Sequence, residues 1–105
     1  MKPEILFDIG ENIVQKFIHL TDYEGQDYLI SIPHEKAEFH NDILQYAIKH
    51  YGEDKNFQPH GGGKIKIDND IIYLSDRSKV YGDFDKTKVT EILKKVYPKS
   101  SIILE

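Results

Sequence analysis

"IVQKFIHLTDYEGQDYLISI" (Ile13–Ile32) reads as two strands around a turn. In Ile13–Leu20 the side chains of Val14, Lys16, Ile18 and Leu20 share one side, because side chains alternate along an extended chain. "DYEGQ" (Asp22–Gln26) supplies the turn and "DYLISI" (Asp27–Ile32) the second strand. Two strands joined by a short Gly-containing turn make a hairpin, and the rest of the chain is placed around it.

Next comes "KAEFHNDILQYA" (Lys36–Ala47). On a helix its apolar stripe would run Ala37, Leu44, Ala47, Ile48 and Tyr51, with Glu38, Asp42, Gln45 and Lys49 on the wet side. Pro33 suits a first helical turn, and Glu35 and Glu38 favour its positive end. The helix should stop near Gly52, with Lys49 and His50 in its last turn. "GEDKNFQPHGGG" (Gly52–Gly63) reads as a polar loop. "KIKI" (Lys64–Ile67), the turn Asp68–Asp70 and "IIYL" (Ile71–Leu74) form a second hairpin. Ser75–Asp85 is a loop rich in turn formers, and Asp85 can cap a second helix, "KTKVTEILKKVY" (Lys86–Tyr97). The stripe of that helix is Val89, Ile92, Leu93 and Val96. Tyr97-Pro98 stops it, and "SIILE" is a last strand. The order β-β-α-β-β-α-β predicts one α+β domain over residues 1–105: a mixed sheet of five or six strands with two helices packed on it.

The chain has 105 residues, enough for one core, with 39% apolar and 30% charged residues, an ordinary globular balance. Eighteen acids against 14 bases leave a net charge of −4, and Arg77 is the one arginine. That balance speaks against a nucleic-acid partner, although a small positive pocket for one phosphate is compatible with it. No cysteine is present, which removes disulfides, thiolate metal sites and a thiol nucleophile. "MKPEILFDIG" carries acids and a Pro where a signal peptide needs an unbroken apolar run, and no segment has the length of a membrane span. A cytoplasmic monomer without membrane contact is the expectation.

Four features stand out chemically. His40 sits in the apolar stripe, either as a core histidine with a partner or as a group held inward for chemistry. Gly61-Gly62-Gly63-Lys64 can bend tightly and point N–H groups at an anion, or can simply be a flexible entry to a strand. The Walker spacing is absent there. Arg77-Ser78-Lys79-Val80-Tyr81-Gly82 is a hydroxyl flanked by cations, an oxyanion cradle or a solvated loop. Lys16 is a cation between Val14 and Ile18, a guard against edge aggregation or a ligand for an anion. Asp68-Asn69-Asp70 looks like an aspartate-nucleophile motif but joins two short strands, so it reads as a turn. A metal is poorly supported: His34 and His40 are six apart, whereas one helix side needs a spacing of four.

In order and with their spacing, these pieces resemble the protein histidine phosphatase family, also called the Janus/Ocnus family, from about Asn12 to Leu104. The family's A-E-Y-H-A-D-I is matched by Ala37, Glu38, Phe39, His40, Asp42 and Ile43. Its G-G-G-R-I becomes Gly61, Gly62, Gly63, Lys64 and Ile65, and its S-x-x-Y-G becomes Ser78, Tyr81 and Gly82. The resemblance implies a small enzyme without metal or cofactor that removes phosphate from phosphohistidine in a protein or peptide, and in some members from phospholysine. It implies that His40 is catalytic, that Ser78, Lys79 and Val80 hold phosphate, and that Lys16 contacts substrate. Gly62, Gly63 and Lys64 join the phosphate-binding set. Two departures stand out: Lys64 replaces an Arg and loses bidentate geometry while keeping the charge, and Ile32 stands where the family often has a base, which makes the pocket less positive. A module of the same fold that binds phosphate or phosphohistidine without turnover is the alternative.

Overall fold

The hairpin forms as expected. Strands β2 (Gln15–Thr21) and β3 (Asp27–Ser31) pair antiparallel, with Ile18 opposite Ile30 and Thr21 opposite Asp27. Asp22 locks the turn. Its carboxylate accepts from the backbone N–H groups of Glu24 (2.9 Å) and Gln26 (3.0 Å) and from the Tyr28 hydroxyl (2.8 Å). Burial alone would raise this carboxyl's pKa, but the three donors outweigh it and hold the group below its ordinary value.

The structure is a computed structural model that describes residues 2–75 and 81–105. Besides the hairpin it contains β1 (Glu4–Phe7), α1 (His40–Tyr51), a single 3-10 turn at Glu53–Lys55, β4 (Gln58–Asp68), β5 (Ile71–Ser75), α2 (Lys86–Val96) and β6 (Ser101–Leu104). The six strands form one mixed sheet in the order β1-β3-β2-β4-β5-β6. β1 runs parallel to β3 and β6 parallel to β5, while the inner pairs are antiparallel. The domain is α+β, with one helix on each side of the sheet.

Alternation sorts the core into two layers. Phe17, Leu29, Ile65, Ile72 and Leu74 point to the side covered by Val89, Ile92 and Leu93 of α2. Ile18, Leu20, Tyr28 and Ile30 point to the other side, under Ile43 and Ala47 of α1. Each fully buried Ile or Leu stabilises by about 1.5–3 kcal/mol, so these two stripes are what dock the helices. At α2 the expected ends hold: Asp85 caps it, its carboxylate accepting from Lys88 N–H at 3.0 Å, and Tyr97 ends it, but Val96, expected in the buried stripe, is 38% exposed in the last turn.

Three expectations are corrected. α1 starts at His40, later than the first turn expected near Pro33. Pro33–Ala37 makes its own turn, with the N–H groups of Lys36 and Ala37 donating to the Pro33 carbonyl. The cap is Phe39, which has no side-chain acceptor, and Asp42 reaches back to accept its N–H at 3.0 Å. The buried stripe is therefore His40, Ile43 and Ala47, with Leu44 beside it. Second, the loop expected over Gly52–Gly63 is half strand. Gly52 ends α1 at φ 112°, and β4 then takes in Gln58–Gly63, pairing with β2. Pro59 is tolerated because β5 pairs with β4 only from Lys64 onward, so a missing N–H leaves no ladder bond unmade on that side. Third, Glu4–Phe7 is an additional edge strand, and the hairpin's first strand begins at Gln15, leaving Ile13 and Val14 exposed.

Candidate functional site

Two elements bring His40 to β4. As the first residue of α1 it lies in the helix's buried stripe, and the strand beneath it has no side chain to hold it off. A Cβ on Gly62 would lie 2.8 Å from His40 Cδ2, 3.1 Å from His40 Nε2 and 2.6 Å from the Phe17 carbonyl oxygen. The imidazole rests on bare backbone, and its Nε2 lies 3.1 Å from the Gly63 carbonyl oxygen. A carbonyl can only accept, so Nε2 carries the hydrogen, and in the neutral ring the lone pair is on Nδ1. Burial is the largest influence on this imidazole and lowers its pKa. The Gly63 carbonyl pulls the other way, and the charges of Lys16 and Lys64 push it down further. His40 is buried, with 8% of its surface exposed.

The same glycines do something different from what their sequence suggests. Gly61 has φ 115°, and a Cβ there would run into the backbone of Asp83 and Phe84. The Gly62 N–H donates to the Gly82 carbonyl at 3.2 Å, so it is spent on the crossing segment and not aimed at an anion. Gly62 also bridges to Asp83. The triplet is a crossing point where an imidazole packs on one side of β4 and Asp83–Phe84 on the other.

Lys16 and Lys64 stand opposite each other in the β2–β4 register and line a cavity of about 300 Å³ together with Val14, Gln15, His34 and Ala37. Lys64 follows Gly63, whose carbonyl meets the imidazole, and Lys16 stands opposite Lys64, so the cationic cavity and the imidazole share one neighbourhood. His34, which the sequence offered only as a rejected metal ligand, lines that cavity. Nothing in its spacing could have indicated this, because it arrives on the separate Pro33–Ala37 turn. Ile32, at the position where a base would add charge, is 2% exposed and belongs to the core.

Ser78, Lys79 and Val80, with Arg77, lie outside the described residues. Their two neighbours in the chain are well placed. Ser75 is the register partner of Lys64, and the Tyr81 hydroxyl donates to Asn41 Oδ1 at 3.0 Å, one residue beyond His40. Burial raises the Tyr81 pKa, which keeps that donor protonated. Among the described residues, no group of three His, Cys, Asp or Glu side chains could hold a metal ion, and no helix is long and apolar enough to cross a membrane.

The arrangement is a neutral imidazole with a defined tautomer, bonded to the residue that precedes Lys64, with Lys16 and Lys64 lining a small cavity nearby. It can bind an anion and accept a proton next to it. A family model described as the Janus/Ocnus family (Ocnus) matches residues 6–101. No curated protein matches the chain.

Proposed function

The chain belongs to the Janus/Ocnus family, and from that premise we propose that it is a phosphatase that hydrolyses the P–N bond of phosphohistidine, or phospholysine, in proteins, without a metal or cofactor. The observation that carries the reading is the bond between His40 Nε2 and the Gly63 carbonyl, which leaves Nδ1 as a base on a ring kept neutral. Phosphoryl transfer needs positioning and charge around three equatorial oxygens more than it needs a strong nucleophile. Lys16 and Lys64 supply charge, and Ser78, with the N–H groups of Ser78, Lys79 and Val80, completes the cradle. Support for that completion is the tethering of the flanking residues: Ser75 beside Lys64 and Tyr81 on Asn41. Gly62 and Gly63 serve by seating the imidazole.

In the proposed step, water attacks phosphorus in line with the leaving nitrogen, and His40 Nδ1 takes the water proton. The P–N electron pair returns to the substrate imidazole. With its remote nitrogen protonated, that ring departs neutral, and orthophosphate is the other product. Incubating the protein with a phosphohistidine peptide and measuring released phosphate is the test. His40→Ala should lower turnover by roughly 10²–10⁴ while phosphate binding persists. Full turnover in that variant would exclude a catalytic role for the residue.

A second reading is a binding module that holds the phosphorylated residue without turnover. The burial of Ile32, which leaves the cavity with two lysines, favours it. Phosphate-dependent NMR shifts at Lys16 and Lys64 in a protein that releases no phosphate would select it.

A further inference from the structure

Among the described residues, α1 and the cluster beneath it cover only half of their side of the sheet. The cluster under α1 takes Ile18 and Leu20 from β2 and Tyr28 and Ile30 from β3 and, among the described residues, no buried residue from β4, β5 or β6. Those three strands present a row of their own on this side. Lys16 stands opposite Lys64, Lys64 opposite Ser75, Lys66 opposite Tyr73, and Tyr73 beside Ile103. Lys64, Lys66, Tyr73 and Ser75 are half-buried, and Ile103 is 41% exposed. The Lys66 ammonium lies 4.5 Å from the centre of the Tyr73 ring, a cation–π contact between the two strands.

We propose that this open half of the sheet is the docking surface for the polypeptide carrying the phosphorylated residue, a segment with Asp or Glu close to the phosphorylated position. The proposal rests on the phosphatase reading above for its substrate class. Two observations commit it to this occupant. The row is continuous with the cavity, because Lys16 and Lys64 belong to both, while His34 and Ala37 wall the cavity's other side. A chain whose phosphorylated side chain enters the cavity therefore has the open sheet on which to lay its neighbours. The charge is also complementary: on a molecule of net charge −4, three lysines, Lys16, Lys64 and Lys66, gather on this row among the described residues, with Asp68 at its far end. Tyr73 and Ile103 add apolar area between and beyond the cations, as a peptide contact needs and a run of bare phosphates does not.

The test uses the whole chain with Lys66→Glu and Tyr73→Ala, neither of which belongs to the proposed catalytic set. The probes are phosphoramidate, a phosphohistidine peptide flanked by Asp and Glu, the same peptide flanked by Lys, and the acidic peptide unphosphorylated. For the acidic phosphopeptide, KM should rise roughly tenfold in Lys66→Glu, with kcat unchanged. Phosphoramidate turnover should be unaltered, and the Lys-flanked peptide should bind Lys66→Glu at least as well as the wild type. The unphosphorylated acidic peptide should shift the amide resonances of Lys66 and Tyr73 in the wild type and not in Lys66→Glu. That last measurement decides the surface even for a protein that releases no phosphate, which would be a failure of the phosphatase reading alone. Equal KM in wild type and both variants, or shifts confined to other strands, overturns the docking surface. So does tighter binding of an oligonucleotide or a phosphatidylserine vesicle than of the acidic peptide, or a dimer that Lys66→Glu dissolves.

Discussion

A methyl group at Gly62 would enter the space that His40 occupies. The nearest obstacles to that Cβ are the Phe17 carbonyl at 2.6 Å, which is backbone and cannot swing away, and His40 Cδ2 at 2.8 Å. Gly62→Ala must therefore push the imidazole off the strand and break its bond to the Gly63 carbonyl. A stability loss of about 1–3 kcal/mol is expected from the overpacking, read as a lower urea midpoint. The sharper expectation concerns turnover. If the damage acts through the ring, Gly62→Ala combined with His40→Ala loses no more activity than His40→Ala alone. Additive losses in the double variant would mean that Gly62 acts independently of His40.

The two helices are held in different ways at their starts. α2 has a side-chain cap in Asp85, and α1 has Phe39 with only the Asp42 carboxylate reaching back. Asp85→Ala should cost about 1 kcal/mol of global stability, with Asp85→Asn recovering most of it, since either side chain can accept from Lys88 N–H. Chemical unfolding of the three proteins gives the comparison, and equal midpoints would show that burial of Val89, Ile92 and Leu93 alone sets where α2 begins. The late start of α1 has a functional consequence. It places His40 in the first turn, close to the Pro33–Ala37 turn that carries His34 to the cavity, instead of about two turns inside a longer helix.

At the scale of the molecule, β2, β3, β4 and α2 meet at His19. Its Nε2 donates to Asp27 Oδ1 at 2.8 Å, Asp27 also receives Lys88 Nζ from α2 at 3.3 Å, and the His60 ring of β4 lies 5.3 Å away. Nδ1 is buried without a partner among the described residues. Burial dominates and lowers the His19 pKa. The hydrogen bond and charge of Asp27 oppose this, His60 adds to it, and Asp85 opposes it weakly. The Asp27 contact is accordingly that of a neutral ring N–H with a carboxylate. The unfolded chain takes up a proton near the ordinary histidine value of about 6.5, whereas folded His19 does so only at lower pH. Stability from this group is complete above about pH 6.5, declines as pH falls below it, and levels off beneath the folded value. Folded His40, also lowered, adds a slope of the same sign. Urea midpoints measured from about pH 5 to about pH 7.5 should therefore rise with pH, and His19→Leu should flatten the curve to the part due to His40. An unchanged slope in His19→Leu would remove His19 as a contributor.

Local rules were enough for the hairpin, the second hairpin, the Asp85 cap and the amphipathic α2, because each depends on residues within a few positions of one another. They also placed His40 on the buried side of α1, since helical spacing alone aligns it with Ile43 and Ala47. Other features were decided at long range. Glu4–Phe7 becomes a strand only because β3 offers an edge, and Gln58–Gly63 only because β2 does, since neither stretch carries a pattern of its own. The role of the glycines was settled by what crosses them, an imidazole on one side and Asp83–Phe84 on the other. His34 reaches the cavity, and Tyr81 reaches Asn41, through contacts between distant parts of the chain. Sequence spacing measures distance along the backbone, and the candidate site is made of distances across it.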